Sequence, residues 1–466
     1  MSFTQATKAA ALTTTTWLNL LLFVLSCVPA VQDPLPHELS GYTADEIFSL
    51  TDERPLAEND PDVFRLLERA IRSSTPTINR FKKTTGPVTL NQIANSPHDF
   101  RCHVVEVAGR AKSIHEFRIG NEKQRPMFLV HVVDQQEKDC IVCLPTIPEL
   151  WRQQTTIDES VKAAGFFLAN FDLKPDPNVA NQMVVPELID NTPLIVAKKM
   201  QWYPTDPESK IQVKPSQRVL AKHGVDISIM EHVSPEHRLM AEDSELFYQM
   251  LAACRNVQRN QIPASKPFTH CLKQPRNCIG EALYFTGQLR RATQVQIEDP
   301  IAIETFGQDY YYQLDVFVPL DHQQIVIRNP ANKSGNQSES NPIVHENRYP
   351  IIVCVPSLPV SVADIWKQKV AINGFFLKLW DYESGVSSQD PNAPKQISPL
   401  VIGLPPQVIQ TGENPLNIWI AMAAIVGFCG LGFFLWLISA DRRKSISGVS
   451  RSSDDLPDEI EIPSID

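Results

Sequence analysis

Cys140 and Cys143 are separated by two residues in the run DCIVCLP, the spacing that dithiol redox sites use. That chemistry needs a thiol with a depressed pKa, which a helix start supplies through its dipole. Here the run alternates like a strand. Its counterpart later in the chain, PIIVCVP from Pro350, keeps only one cysteine, Cys354. The pair therefore reads as structural. No second Cys-x-x-Cys and no histidine pair completes a zinc site. The eleven histidines are scattered, with no HExxH, no GxSxG and no phosphate-cradling glycine loop. His98-Asp99 and His115-Glu116 are neighbours in sequence, an arrangement that commonly points two side chains apart. The expectation is a protein that is not an enzyme and that carries no metal or cofactor.

Four cysteines lack counterparts between the two halves of the chain: Cys102 and Cys140 in the first, Cys271 and Cys278 in the second. If the chain is exported, bridges Cys102–Cys140 and Cys271–Cys278 are expected, because oxidising compartments favour disulfides.

Aromatic side chains offer a different chemistry, stacking on a ring or a sugar. GFFLANFD at 165–172 returns as GFFLKLWD at 374–381. Strand alternation splits each run between two faces. Phe166, Leu168 and Asn170, matching Phe375, Leu377 and Leu379, form the expected core face. Phe167, Ala169 and Phe171 match Phe376, Lys378 and Trp380 on the other. A lysine on that second face argues for water beside it. Phe376, Lys378 and Trp380, with Phe167 and Phe171, are thus the candidate interaction surface.

The elements that hold these residues are themselves duplicated. DPDVFRLLERAI from Asp60 returns as DSELFYQMLAAC from Asp243, each with an aspartate suited to capping a helix. HVVEVAGRA from His103 matches EALYFTGQL from Glu281 and superposes Gly109 on Gly287, where a strand must bend. MFLVHVVD and DCIVCLP match YYYQLDVFV and PIIVCVP. IPELW matches VADIW, ending in Trp151 and Trp366. TPLIVA from Thr192 matches SPLVIG from Ser398. The unit reads helix, then β-β-β-α-β-β. Its five-strand part resembles an OB-fold, over about 97–200 and 275–405. The likeness is one of element order rather than a sequence fingerprint, and a small β-sandwich is the alternative. The predicted fold is mainly β with short helices: two tandem OB-like five-stranded barrels, each preceded by a helix, plus one C-terminal transmembrane helix.

The ends of the chain address it to a membrane. Trp17–Val31 is apolar but spans only about 22 Å as a helix, and Val28-Pro29-Ala30 resembles a peptidase site, so 1–30 reads as a signal peptide. Leu416–Ala440 carries no charge, is long enough to span with some tilt, and is followed at once by Arg442, Arg443 and Lys444. The expected order is a flexible leader at 31–55, the first helix and repeat at 56–200, and a linker at 201–235. The second helix and repeat come next at 236–405, then a juxtamembrane linker at 406–415, the span at 416–440, and a disordered cytoplasmic tail at 441–466. The whole resembles an exported single-pass bacterial membrane protein.

OB-like barrels suggest single-stranded nucleic acid, but charge argues against it. The net charge is −10, residues 97–200 hold 12 Lys/Arg against 14 Asp/Glu, and residues 275–410 hold 10 against 13. Phosphate neutralisation carries most affinity for such ligands. The expected function is membrane-anchored binding or scaffolding outside the cytoplasm, with an envelope protein, peptide or saccharide as partner. The alternatives are single-strand binding and an enzyme with a dispersed site.

Overall fold

A computed structural model describes residues 35–57, 60–119, 125–173, 191–234, 238–321, 323–327, 343–382, 396–409 and 423–436. The expected signal peptide, the cytoplasmic tail and the two ends of the apolar stretch lie outside these residues. The chain divides into two compact units, Met1–Val408 and Ile409–Asp466.

The first unit is mainly β, with two six-stranded sheets and short helices. Its strands are β1 (Arg54–Pro55), β2 (Val104–Ile119), β3 (Arg125–Asp134), β4 (Asp139–Leu144), β5 (Thr156–Asp172) and β6 (Thr192–Trp202). In the second half come β7 (Ala282–Gln296), β8 (Tyr310–Pro319), β9 (Ile325–Ile327), β10 (Ile343–His345), β11 (Arg348–Val355), β12 (Lys369–Tyr382), β13 (Gln396–Gly403) and β14 (Gln407–Ile409). β2 pairs with β3 and β5, β3 with β4, β4 in parallel with β6, and β6 with β5, so the pairings form a closed ring. The second half repeats it: β7 with β8 and β12, β8 with β11, β11 in parallel with β13, and β13 with β12. β1 adds to the first ring at β5 and β14 to the second at β12, while β9 and β10 form a separate ribbon.

The duplicated glycines sit where the first strand of each ring crosses its neighbour closely. A Cβ on Gly109 would lie 2.2 Å from the Val133 carbonyl oxygen, and one on Gly287 2.6 Å from Val316 and 2.8 Å from the Phe317 carbonyl oxygen. Both strands then shift register, between Ala111 and Ser113 and between Leu289 and Arg291. An extra residue bends a strand and sharpens its twist, which closure requires.

Each ring is also covered from outside by the helix that precedes it. Helix Pro61–Arg72 starts at Asp60, whose carboxylate accepts from the Asp62 and Val63 amides, and it buries Val63, Leu66, Leu67 and Ala70. These pack on Phe166, Leu168, Leu194 and Val196. Helix Ser244–Asn256 buries Leu246, Met250, Ala253 and Cys254 against Ile352, Phe375, Leu377 and Ile402. Both faces of the repeated strand are therefore apolar because both are covered.

Residues 201–234, the described part of the expected linker 201–235, are folded. They contain helix Pro215–Lys222 and the 3-10 turn Ile227–His232, and they bury Ile211, Val213, Leu220, Val225, Ile227 and Met230. Periodicity is weak there because short turns, not a long element, carry the apolar side chains. These side chains join one core that runs from Leu90 in the first half to Leu404 in the second. The described part of the 31–55 leader is folded too: helix Ala44–Ser49 has a capping box from Thr43 and Glu46, and Leu50 is buried.

In the second unit, residues 423–436 are helical. Ile425, Val426, Phe428, Leu431, Phe433, Phe434, Leu435 and Trp436 are all exposed. Among the described residues no helix is long and apolar enough to cross a membrane.

Candidate interaction surface

The repeated strand does not supply the surface its sequence suggests. Phe167, Phe171 and Phe376 are fully buried. Phe167 packs with Val105, Val107 and Phe128 of its own ring, and Phe376 with Leu283, Phe285 and Val401 of its own. Simple alternation inverted the faces: Phe166 and Phe375 lie under the covering helices, and their neighbours point inward. Register shifts then break the alternation, between Phe167 and Asn170 and between Phe376 and Lys378. Lys378 does not reach water. It is 4 % exposed, and its Nζ lies 2.6 Å from Asp243 Oδ2 and 2.7 Å from the Arg238 carbonyl oxygen. A buried ammonium survives only when paired and hydrogen-bonded. Asp243 also accepts from the Ser234 and Met240 amides rather than capping its helix. Trp380 is half-buried against the shared core. No aromatic pair brackets an exposed lysine here.

The cysteines divide likewise. Cys102 lies in the core beneath helix Pro61–Arg72 and Cys140 in the shared core, on opposite faces of the sheet; both are free thiols. Burial raises both thiols, Cys102 to about 12. Cys271 and Cys278 are buried together in the second ring's core, and both are free thiols rather than the expected bridge.

A cleft of about 720 Å³ separates the first ring from helices of the second half. Its charged lining includes Lys82, Lys162, Lys199, Glu106 and Glu245. Lys82 and Lys162 hold Glu106 at 2.6 and 3.0 Å, and Lys199 holds Glu245 at 2.7 Å. Burial would raise the Glu106 carboxyl, but hydrogen bonds from the two ammoniums keep it below its ordinary value. These charges saturate one another and leave little for a ligand. Among the described residues no group of three metal-capable side chains assembles.

A different set of residues converges on the outside of the second ring. Trp366, at the end of the short helix Val362–Ile365, is 53 % exposed. Its Nε1 donates to the Arg290 carbonyl oxygen at 3.1 Å, and Lys367 Nζ sits 3.8 Å from its ring centroid. The Arg290 guanidinium lies 5.9 Å from the Phe317 ring. Gln288 joins the rest: it accepts from Arg348 at 3.0 Å, donates to the Lys367 carbonyl oxygen, and stands opposite Lys369 and Phe317 in register. Lys367 has φ +61°, a left-handed backbone that is uncommon for a side chain of this size. Arg290, Arg348, Lys367 and Lys369 are all exposed. Asp315 pairs with Arg291 at 2.7 Å, and Asp364 accepts from the Ser361 hydroxyl. An acidic chain thus displays a local basic and aromatic patch. Sequence reading missed it because its residues come from four strands and a turn, and only VADIW drew notice, as a repeat marker.

No family model matches the chain, and no curated protein matches it. Among solved structures, a deletion mutant of the single-stranded DNA binding protein from Thermus aquaticus shares 7% identity over 66% of this chain and 95% of that one, with a TM-score of 0.15. A Replication Protein A heterotrimer bound to ssDNA shares 9% over 68% of this chain and 52% of its own, at 0.14. A murine DNA binding protein bound with double-stranded DNA shares 8% over 66% and 98%, at 0.13. Superpositions this loose carry no argument about the ligand of this chain.

Proposed function

We propose that the protein is a membrane-anchored, non-catalytic interaction protein in which two OB-like barrels act as one rigid body outside the cytoplasm. The observation that carries this reading is the helix at 423–436. A helix that is apolar on every side belongs in a protein core or in lipid, and here those side chains are exposed rather than packed. It lies inside a 25-residue stretch, Leu416–Ala440, without a single charge. The closed strand rings with a parallel third-to-fifth pairing support the OB-like reading of the barrels. Their shared core supports the rigid body. In cells expressing the full chain, the protein should stay with membranes through alkaline carbonate extraction, and external protease should digest the barrels while sparing the tail. Extraction into the soluble fraction would refute the anchor, and the reverse protease pattern would refute the orientation.

The second reading is single-strand binding by the barrels. The patch around Trp366 favours it, since an exposed ring beside arginines and lysines suits stacked bases and phosphates. It predicts oligonucleotide binding that weakens steeply as salt rises.

A further inference from the structure

The position of Trp366 within the duplicated fold says what its patch meets. In the first repeat the matching Trp151 is fully buried, edge-on against Trp202 with ring centroids 5.7 Å apart. The chain that leaves the last strand covers it: Trp202 ends β6, opposite Val161 of β5, and residues from Ile211 to Met230 join the same core. In the second repeat the last strand runs along β12 in the same way. Tyr382 pairs with Gln396, Gly374 with Gly403, and the Leu404 amide donates to Asn373. β14 then pairs with β12 again, so it continues toward the Lys369 end, as the Met200–Trp202 end of β6 does along Val161–Ala163. The sequence leaves no room there for a segment like 211–230. Only residues 410–415 separate β14 from the apolar stretch, at most roughly 20 Å of extended chain.

We infer that the patch of Trp366, Phe317, Arg290, Arg348, Lys367 and Lys369 docks on the anionic headgroups of the membrane to which the chain is anchored. This rests on the membrane anchor proposed above. Given that anchor, only residues 410–415 lie between β14 and the apolar stretch, so the polyanion closest along the chain is the lipid surface. The chemistry matches on both counts. Indoles favour the headgroup region, and clustered arginine and lysine are drawn to anionic lipid. Asp315, on the strand next to Arg290, does not hold these cations, because it pairs instead with Arg291.

The test uses the full chain reconstituted in vesicles of phosphatidylcholine alone or with about 30 mol % phosphatidylglycerol, an anionic fraction large enough to attract clustered basic side chains. A membrane-impermeant amine reagent is added outside, and labelling is read by mass spectrometry. Labelling of Lys367 and Lys369 is expected to fall on the order of fivefold in anionic vesicles, while Lys222, on helix Pro215–Lys222, is unchanged. Salt of about 0.5 M, which shortens the screening length to a few Å, should restore the labelling. The Arg290→Glu, Arg348→Glu double variant should lose the difference while keeping the wild-type circular dichroism. Equal labelling of the wild type in both kinds of vesicle overturns the inference. So does protection of the two lysines by a single-stranded oligonucleotide with none from either lipid. Retention of the chain by the vesicles is scored separately: loss there refutes the anchor, whereas retention with equal labelling refutes only the docking.

Discussion

Trp151 and Trp366 close the same short turn in two copies of one unit, yet one is fully buried and the other is more than half exposed. The difference lies in where the chain goes after each copy. After the first, it folds back as residues 201–234 and seals its tryptophan into the shared core. After the second, it leaves for the apolar stretch. A duplicated residue thus keeps its backbone position while its role changes from core to surface. The helix-start aspartates teach the same lesson. Asp60 is neutralised by Arg54 from β1, a partner that is 29 % exposed, whereas Asp243 is neutralised by Lys378 from inside the ring strand, where Ala169 stands in the first copy.

The largest expected effect separates the two tryptophans. Trp151→Ala should cost about 3–5 kcal/mol, the range for emptying a large aromatic site in a packed core. Trp366→Ala should cost under about 1 kcal/mol, because it opens no cavity. Urea unfolding of both variants checks this, and equal losses would mean that Trp366 is also core. Next come the ion pairs. Lys378→Met leaves the Asp243 carboxylate buried without its cation, and the loss should reach about 3 kcal/mol. Arg54→Met should cost nearer 1 kcal/mol, because that pair is partly solvated. Comparable losses in chemical denaturation would show that the two partners are equivalent.

The smallest effect contrasts the first ring strands. His103 matches Glu281, which Lys266 and Lys214 hold at 3.0 and 3.4 Å. Burial, and then the nearby His37, push the His103 imidazole down to about 4. A histidine with a depressed folded pKa contributes stability that is present above its unfolded value of 6.5. That stability is lost as pH falls toward 4, since the unfolded chain then binds the extra proton. The unfolding midpoint should therefore drop between pH 6.5 and 4, by on the order of 1–2 kcal/mol, and His103→Gln should flatten that slope. An unchanged slope would place the acid sensitivity elsewhere.

The duplication was legible because it lives in local patterns: paired strand sequences, the crossing glycines, and the apolar helix faces of Pro61–Arg72 and Ser244–Asn256. What escaped were facts set by distant partners. A lysine in an alternating strand reads as exposed unless its aspartate is known, and Asp243 lies 135 residues away. Alternation also failed at the register shifts, which left Phe376 and Lys378 on faces that strict period two does not give. Residues 201–235 looked like linker because short turns bury side chains without any period. The Trp366 patch is assembled by strand order, so no single stretch announces it.

The core that runs from Leu90 to Leu404 also dictates timing. As the chain is made or threaded from its N-terminus, this core is complete only once helix Ser244–Asn256 and then Phe375, Leu377 and Ile402 have been added. Contacts spanning that much sequence form late, and the waiting surface is sticky. A nascent chain halted between the repeats could bury Trp202 against Trp151 but would lack every contribution of the second half to that core.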